Sequence, residues 1–94
     1  MSEIVLTDND REQIIQITKA IASETRYSIV KLLAQQEHDI SRLAEALGQT
    51  EANISAQVKQ LEKAKLIESR YEPGNHGVRK ICRTVVKKVS IIIS

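Results

Sequence analysis

Gly48 falls between two stretches of helical hydrophobic periodicity, and that placement constrains this 94-residue chain more than any other feature. Upstream, Leu43, Ala44 and Leu47 make the inner face of a short helix expected over 42–47, with Ser41 as its cap. Gly48 ends that helix where a residue able to turn left-handed costs least. Downstream, Thr50 caps a longer helix over 51–64, with Ile54, Val58 and Leu61 on one face. Ala44, Gly48 and Ile54 thus stand at offsets of four and six. They supply a small residue where two helices cross, a glycine in the turn and a branched anchor on the second helix. Those are the packing demands of a helix-turn-helix. Alone the spacing fits any helical hairpin; followed at once by a basic β-hairpin it is far more specific.

The flanking elements follow the same logic. Asn9-x-x-Glu12 resembles a capping box ahead of Ile14, Ile17 and Ile21, so a first helix is expected over 9–22. Ser23 caps a second helix over 24–35, whose apolar face is Tyr27, Val30 and Leu33. After Leu66 the period changes from helical to alternating. Ile67 to Glu72 reads as a strand, Pro73 to Gly77 as a turn, and Val78 to about Ile93 as a single longer strand. The expected fold is mainly α with a small antiparallel β-hairpin: four helices, then a two-stranded wing whose second strand runs long towards the C-terminus. One domain over 1–94 is predicted, with the helix-turn-helix at 41–64, the wing at 66–83, and segments 1–8 and 84–94 in dimerisation.

Composition narrows the function. Hydrophobic residues make up 41% and charged residues 28%, the balance of a globular chain. There is no Phe or Trp and there are only two Tyr, which weighs against a single-strand binder built on aromatic stacking. One cysteine excludes an internal disulfide framework and suits a reducing compartment. The first ten residues lack the form of a signal peptide, and the longest apolar run is three residues. A cytoplasmic protein with no membrane partner is expected. Net charge is +2, but residues 1–47 carry five basic and eight acidic residues while residues 48–94 carry nine and four. Such asymmetry suits a polyanion on one face, although basic residues also guard edge strands.

Taken together, several stretches resemble the ArsR-type (arsenic-repressor-like) winged helix-turn-helix regulators, in the compact form common in archaea. The resemblance rests on Ser23-Glu24-Thr25-Arg26 with Ile29, Leu32 and Leu33, and on Ile40-Ser41-Arg42-Leu43-Ala44-Glu45-Ala46-Leu47-Gly48. It continues through Ile54-Ser55-x-x-Val58-x-x-Leu61 and Ala64-x-Leu66-Ile67, and spans about residues 10–83. It implies helices packed on a small antiparallel sheet, a homodimer, and a transcriptional role at an operator. Lys65 stands where the family usually has glycine, and Gln57 where histidine is frequent. The family's metal-sensing cysteines are replaced by His38-Asp39-Ile40-Ser41, and its C-terminal ligand helix by a strand. Metal sensing is therefore not carried over.

A helical wheel at ~100° per residue assigns the contacts with double-stranded DNA. With Ile54, Val58 and Leu61 inward, Ala52, Asn53, Ala56, Lys59, Gln60 and Lys63 form the outward arc. Asn53 and Gln60 can offer paired donor and acceptor groups to base edges, and the small Ala52 and Ala56 allow close approach. Ser55, Gln57 and Lys59, on the shoulders, suit phosphate, as do Thr50 and the N–H groups beside it. In the wing, Arg70, His76, Arg79 and Lys80 flank the tip and suit the backbone or minor groove. The structural reading of the same residues is a solvated helix face and a soluble turn.

Other signals carry less. Cys82 reads as a small buried apolar residue. His38 and His76 lack partners at ligand spacing, so no metal site is expected. No nucleophile or paired carboxylates accompany Asp39 and Glu45, so no enzyme and no cofactor are expected. A dimeric, sequence-specific regulator, a repressor by occupancy, is the reading that the residues favour. The alternative is a winged-helix protein–protein module, which an exposed apolar patch on the fourth helix would favour. Non-specific architectural binding would require higher overall basicity.

Overall fold

The computed structural model describes residues 3–94. In chain order it has β1 (Glu3–Leu6), a 3-10 turn (Asp8–Asp10), α1 (Arg11–Ile21), α2 (Glu24–Gln35) and β2 (His38–Asp39). There follow α3 (Ile40–Leu47), α4 (Glu51–Lys63), β3 (Ile67–Gly74), β4 (Gly77–Thr84) and β5 (Lys88–Ile91). Four helices thus pack on a hairpin, as the periodicity predicts. The helix-turn-helix is α3 and α4, joined through Gly48 in the left-handed region (φ 63°). Two backbone bonds close this end, Gln49 N–H to Ala44 O at 3.0 Å and Gly48 N–H to Glu45 O at 3.3 Å.

Ser23 and Thr50 cap their helices as expected, their hydroxyls accepting the Arg26 and Asn53 N–H groups. Two other caps differ. The first turn is closed by Thr7 and Asp10 rather than Asn9 and Glu12, since Thr7 N–H donates to Asp10 Oδ2 at 2.9 Å. The third helix starts two residues earlier than predicted and is capped by Asp39, whose Oδ1 accepts Arg42 N–H at 2.8 Å. Asp39 leaves Ser41 free to donate its hydroxyl to Glu51 at 2.9 Å.

The sheet departs further from expectation. β2 adds a third strand to the wing, giving the antiparallel order β2-β4-β3. The long C-terminal strand is broken at 85–87, because Val85 and Val86 are adjacent apolar residues that both pack on the core. A straight strand would point them to opposite faces. The chain bends instead, with the Thr84 hydroxyl accepting Val86 N–H at 3.3 Å. β5 then leaves the wing and pairs in parallel with β1, from Glu3↔Lys88 to Leu6↔Ile91.

One core sits between the helices and the inner face of the wing. Ile17, Ile29, Leu43, Ile54, Leu61, Leu66, Val58 and Cys82 are its most deeply buried side chains. The α4 anchors are therefore shared with α1, α2, α3 and the sheet, and truncating one costs about 2–4 kcal/mol.

Candidate nucleic-acid interface

Because Ile54, Val58 and Leu61 are drawn inward, α4 presents Ala52, Ala56, Lys59, Gln60 and Lys63 to solvent. Thr50 is exposed at its start, its oxygen occupied by Asn53 N–H at 3.1 Å. Asn53, Ser55 and Gln57 are half-buried on its shoulders. The two alanines are the only exposed apolar side chains on α4, so the helix carries no broad apolar patch.

A polar ladder fixes one flank of this helix. Arg26 donates to Ala20 O at 2.7 Å and Lys19 O at 3.3 Å, at the carbonyl end of α1, and to Gln57 Oε1 at 2.7 Å. Gln57 Nε2 donates to Asn53 Oδ1 at 3.1 Å, and Asn53 in turn donates to Gln49. Gln49 closes the run on the Thr25 hydroxyl at 3.2 Å. Asn53 and Gln57 stand one turn apart on α4 and Gln49 lies just before its cap, so the three form one run. It fixes which way the Asn53 amide faces while leaving one N–H and one lone pair for a base edge. Gln57 is thereby a support for Asn53 as well as a shoulder residue.

The wing presents a different picture. Its Asn75-His76 tip joins β3 to β4 in a two-residue turn, with Gly77 at φ 112° supplying a backbone only glycine takes readily. His76 is exposed there, and a groove of about 450 Å3 separates the tip from the starts of α3 and α4. Asp39, Ser41, Glu51, His76, Arg79 and Lys80 line it. Arg70 and Lys80, however, do not flank the tip as free cations. Lys80 is on the inner face, donating to Glu62 at 3.1 Å and lying 6.0 Å from the Tyr71 ring centroid. Arg70 is on the outer face, donating to Glu37 through both terminal nitrogens at 2.7 and 2.9 Å and to Glu72 at 2.7 Å. Arg79 donates to Asp39 at 2.9 Å, and Arg83 pairs with Glu68.

These pairs shift titration. The Arg70 hydrogen bonds hold the Glu37 carboxyl below its usual range, and Arg70 itself is driven upward by Glu37 and Glu72. Burial opposes ionisation of Asp39, but the Arg42 N–H and the Arg79 guanidinium outweigh it and lower its pKa. Burial raises the Cys82 thiol, which accepts the Ser69 hydroxyl at 3.4 Å. A buried thiol of raised pKa is the small apolar residue its strand position predicts.

The wing's cations are therefore engaged with carboxylates rather than grouped freely about the tip. Lys59 and Lys63 make no ion pair among the described residues, whereas Arg70, Arg79 and Lys80 all do. Glu37, Asp39, Gln49 and Arg26 were not among the expected contacts. The signal for Arg26 lay in its fixed distance from the Ser23 cap, and that for Gln49 in its place one turn before Asn53. Among the described residues no group of three or more metal-binding side chains converges, and no helix is long and apolar enough to cross a membrane.

Comparison with known proteins accords with this geometry. Residues 23–69, from the cap of α2 to the start of the wing, match the profile of bacterial regulatory proteins of the arsR family. Curated protein sequences give no match. Among solved structures, the chain is similar to a possible transcriptional regulatory protein (fragment 1–100) from Mycobacterium bovis. The identity is 31%, over 79% of this chain and 75% of that one, with a TM-score of 0.69. In solution that fragment is a homodimeric winged helix-turn-helix DNA-binding domain of a possible ArsR-family regulator, 31% identical over 79% of this chain and 65% of that one, with a TM-score of 0.70. The transcriptional repressor BigR from Xylella fastidiosa shares the fold, at 17% identity over 83% and 76% of the two chains and a TM-score of 0.68. The chain belongs to the ArsR family of winged helix-turn-helix transcriptional regulators.

Proposed function

We propose that this chain is a dimeric, sequence-specific double-stranded DNA-binding repressor that acts by occupying its operator, without catalysis. α4 enters the major groove, where Asn53 and Gln60 read base edges and Ala52 and Ala56 permit close approach. Thr50, Ser55, Gln57, Lys59 and Lys63 meet the phosphates on either side, and the wing follows the adjacent backbone through His76 and, once exchanged from their carboxylate partners, Arg79, Arg70 and Lys80. The observation that carries the reading is the fixed amide of Asn53 on an otherwise exposed helix. The run leaves the Asn53 amide one N–H and one lone pair, the pair of groups that an adenine edge takes. The compartment this role requires is the one that holds the chromosome, the cytoplasm.

The terminal sheet supports the dimeric part of this reading. β1 and β5 form an isolated two-stranded sheet, and Val5, Ile91, Ile92 and Ile93 remain exposed on or beside it, as does Ile15 on α1. Segments 84–94 and the described part of 1–8 bury this surface across a two-fold axis. Met1 and Ser2 of that segment lie outside the described residues. Successive major grooves ~34 Å apart would then receive the two α4 helices.

Selection of bound duplexes from a random library tests both halves of the reading. A palindromic consensus is expected, relaxed by Asn53→Ala or Gln60→Ala and retained, at lower affinity, by Lys59→Ala. Failure to enrich any sequence refutes base reading, and a monomer by light scattering at micromolar concentration refutes the dimer.

A further inference from the structure

Strand register sorts the wing's side chains into two faces. On the outer one, Glu68 is opposite Arg83, Arg70 opposite Ile81, and Glu72 opposite Arg79, while β2 sets Asp39 beside Ile81 from the other edge. Glu37 reaches the same face to hold Arg70. Three arginines therefore meet four carboxylates, and Ile81 is only 6% exposed between two charged neighbours in register. Two of those carboxylates, Glu37 and Asp39, come from the link between α2 and α3 rather than from the hairpin. They take Arg70 and Arg79, two of the three guanidinium groups on this face.

The planar fork that grips a carboxylate grips a phosphate with the same geometry. We infer that Glu37 and Asp39 are built-in competitors of DNA phosphate, holding Arg70 and Arg79 in the free protein so that the wing binds only by exchanging carboxylate for phosphate. The inference rests on the DNA-binding reading and assigns Glu37 and Asp39 as positioning residues, acting through the two arginines. Non-specific binding is essentially all phosphate neutralisation. A wing neutralised in this way therefore lowers the phosphate part of the affinity, which for a random duplex is essentially the whole of it. Lys59 and Lys63 on α4 carry no such competitor among the described residues, so the device belongs to the wing.

Two isosteric substitutions test it. Asp39→Asn keeps a good helix cap while removing the charge, and Glu37→Gln alters an exposed side chain, so both preserve the fold. Each is titrated by fluorescence anisotropy against a random-sequence duplex at low ionic strength, alone and in the Arg79→Gln or Arg70→Gln background respectively. The expected result is about threefold tighter binding from each acid substitution, the worth of one exposed ion pair, and no gain once its arginine is gone. An equal gain in both backgrounds makes the acids mere net charge and overturns the inference, as does no gain at all. Wild-type chain that binds neither random nor selected duplex overturns the underlying DNA reading directly, and the inference with it.

Discussion

α4 and the β3–β4 wing flank the same groove but are held by opposite means. α4 is anchored beneath by Ile54, Val58 and Leu61, none of which has any exposure, and along its flank by the run from Arg26 to Gln49. Outward from Ile81 and Cys82 the wing is a two-stranded ladder braced by ion pairs, Arg70 with Glu37 and Glu72 and Arg79 with Asp39. The first arrangement fixes a geometry; the second can be exchanged for another anion at small net cost. On the proposed reading, a rigid reader stands beside an exchangeable grip.

The largest expected break of that contrast is at Arg26. Its three hydrogen bonds cap the carbonyl end of α1 and hold Gln57, so Arg26→Ala is expected to cost about 2–3 kcal/mol in urea denaturation. Arg26→Lys restores little of this, because a point charge cannot serve three acceptors in a fork. Arg79→Gln in the wing, by contrast, is expected to cost less than about 0.5 kcal/mol by the same measurement. Equal losses at the two sites would erase the distinction between rigid and exchangeable support.

Asp39 tests the middle of the range, since it is both cap and counter-ion. Asp39→Ala is expected to cost about 1 kcal/mol, and Asp39→Asn only a few tenths, because asparagine caps nearly as well. Its folded pKa lies below the unfolded value of about 3.9, so its ionic contribution is whole above about pH 4. That contribution is lost as pH falls through the folded value. Glu37 shifts in the same direction, Arg70 being the largest cause. Acid denaturation followed by circular dichroism should show Asp39→Asn flattening this acid limb, and an unchanged limb would remove Asp39 from the account.

Much of α4 was legible because its signals are local. Thr50, Ile54, Val58 and Leu61 announce cap and inner face by spacing alone, and the structure keeps all four roles. The wing was legible in outline, through the density of turn residues from Pro73 to Gly77. Its ion pairs were not, since Arg70 meets Glu37 across 33 positions and Arg79 meets Asp39 across 40. No periodicity reports such a partner. β2 is equally hidden, because two residues are too few to show alternation. The break near Val86 had a visible signal in its paired valines, but only tertiary packing decides whether such a pair bends a strand.

The smallest expected effect lies where α4 passes into the wing. Lys65 is left-handed at φ 62°, nearly the angle of Gly48 after α3. Both ends close with the same pair of backbone bonds, here Leu66 N–H to Leu61 O at 3.1 Å and Lys65 N–H to Glu62 O at 2.9 Å. A side chain in that conformation carries a penalty of about 1 kcal/mol or more, partly offset because glycine loses more chain entropy on folding. Lys65→Gly is therefore expected to stabilise the fold by about 0.5 kcal/mol, raising the melting midpoint by about 2–4 °C in a domain of this size. Gly48→Ala should move it the other way by about 1 kcal/mol, although an added Cβ would meet nothing within 4 Å, because the backbone angle alone is at fault. Opposite signs at two equivalent helix ends would show that the lysine stands in the junction against local preference. Its exposed ammonium, on the approach from reader to grip, is then the compensating feature to measure by salt-dependent DNA binding of the same variant.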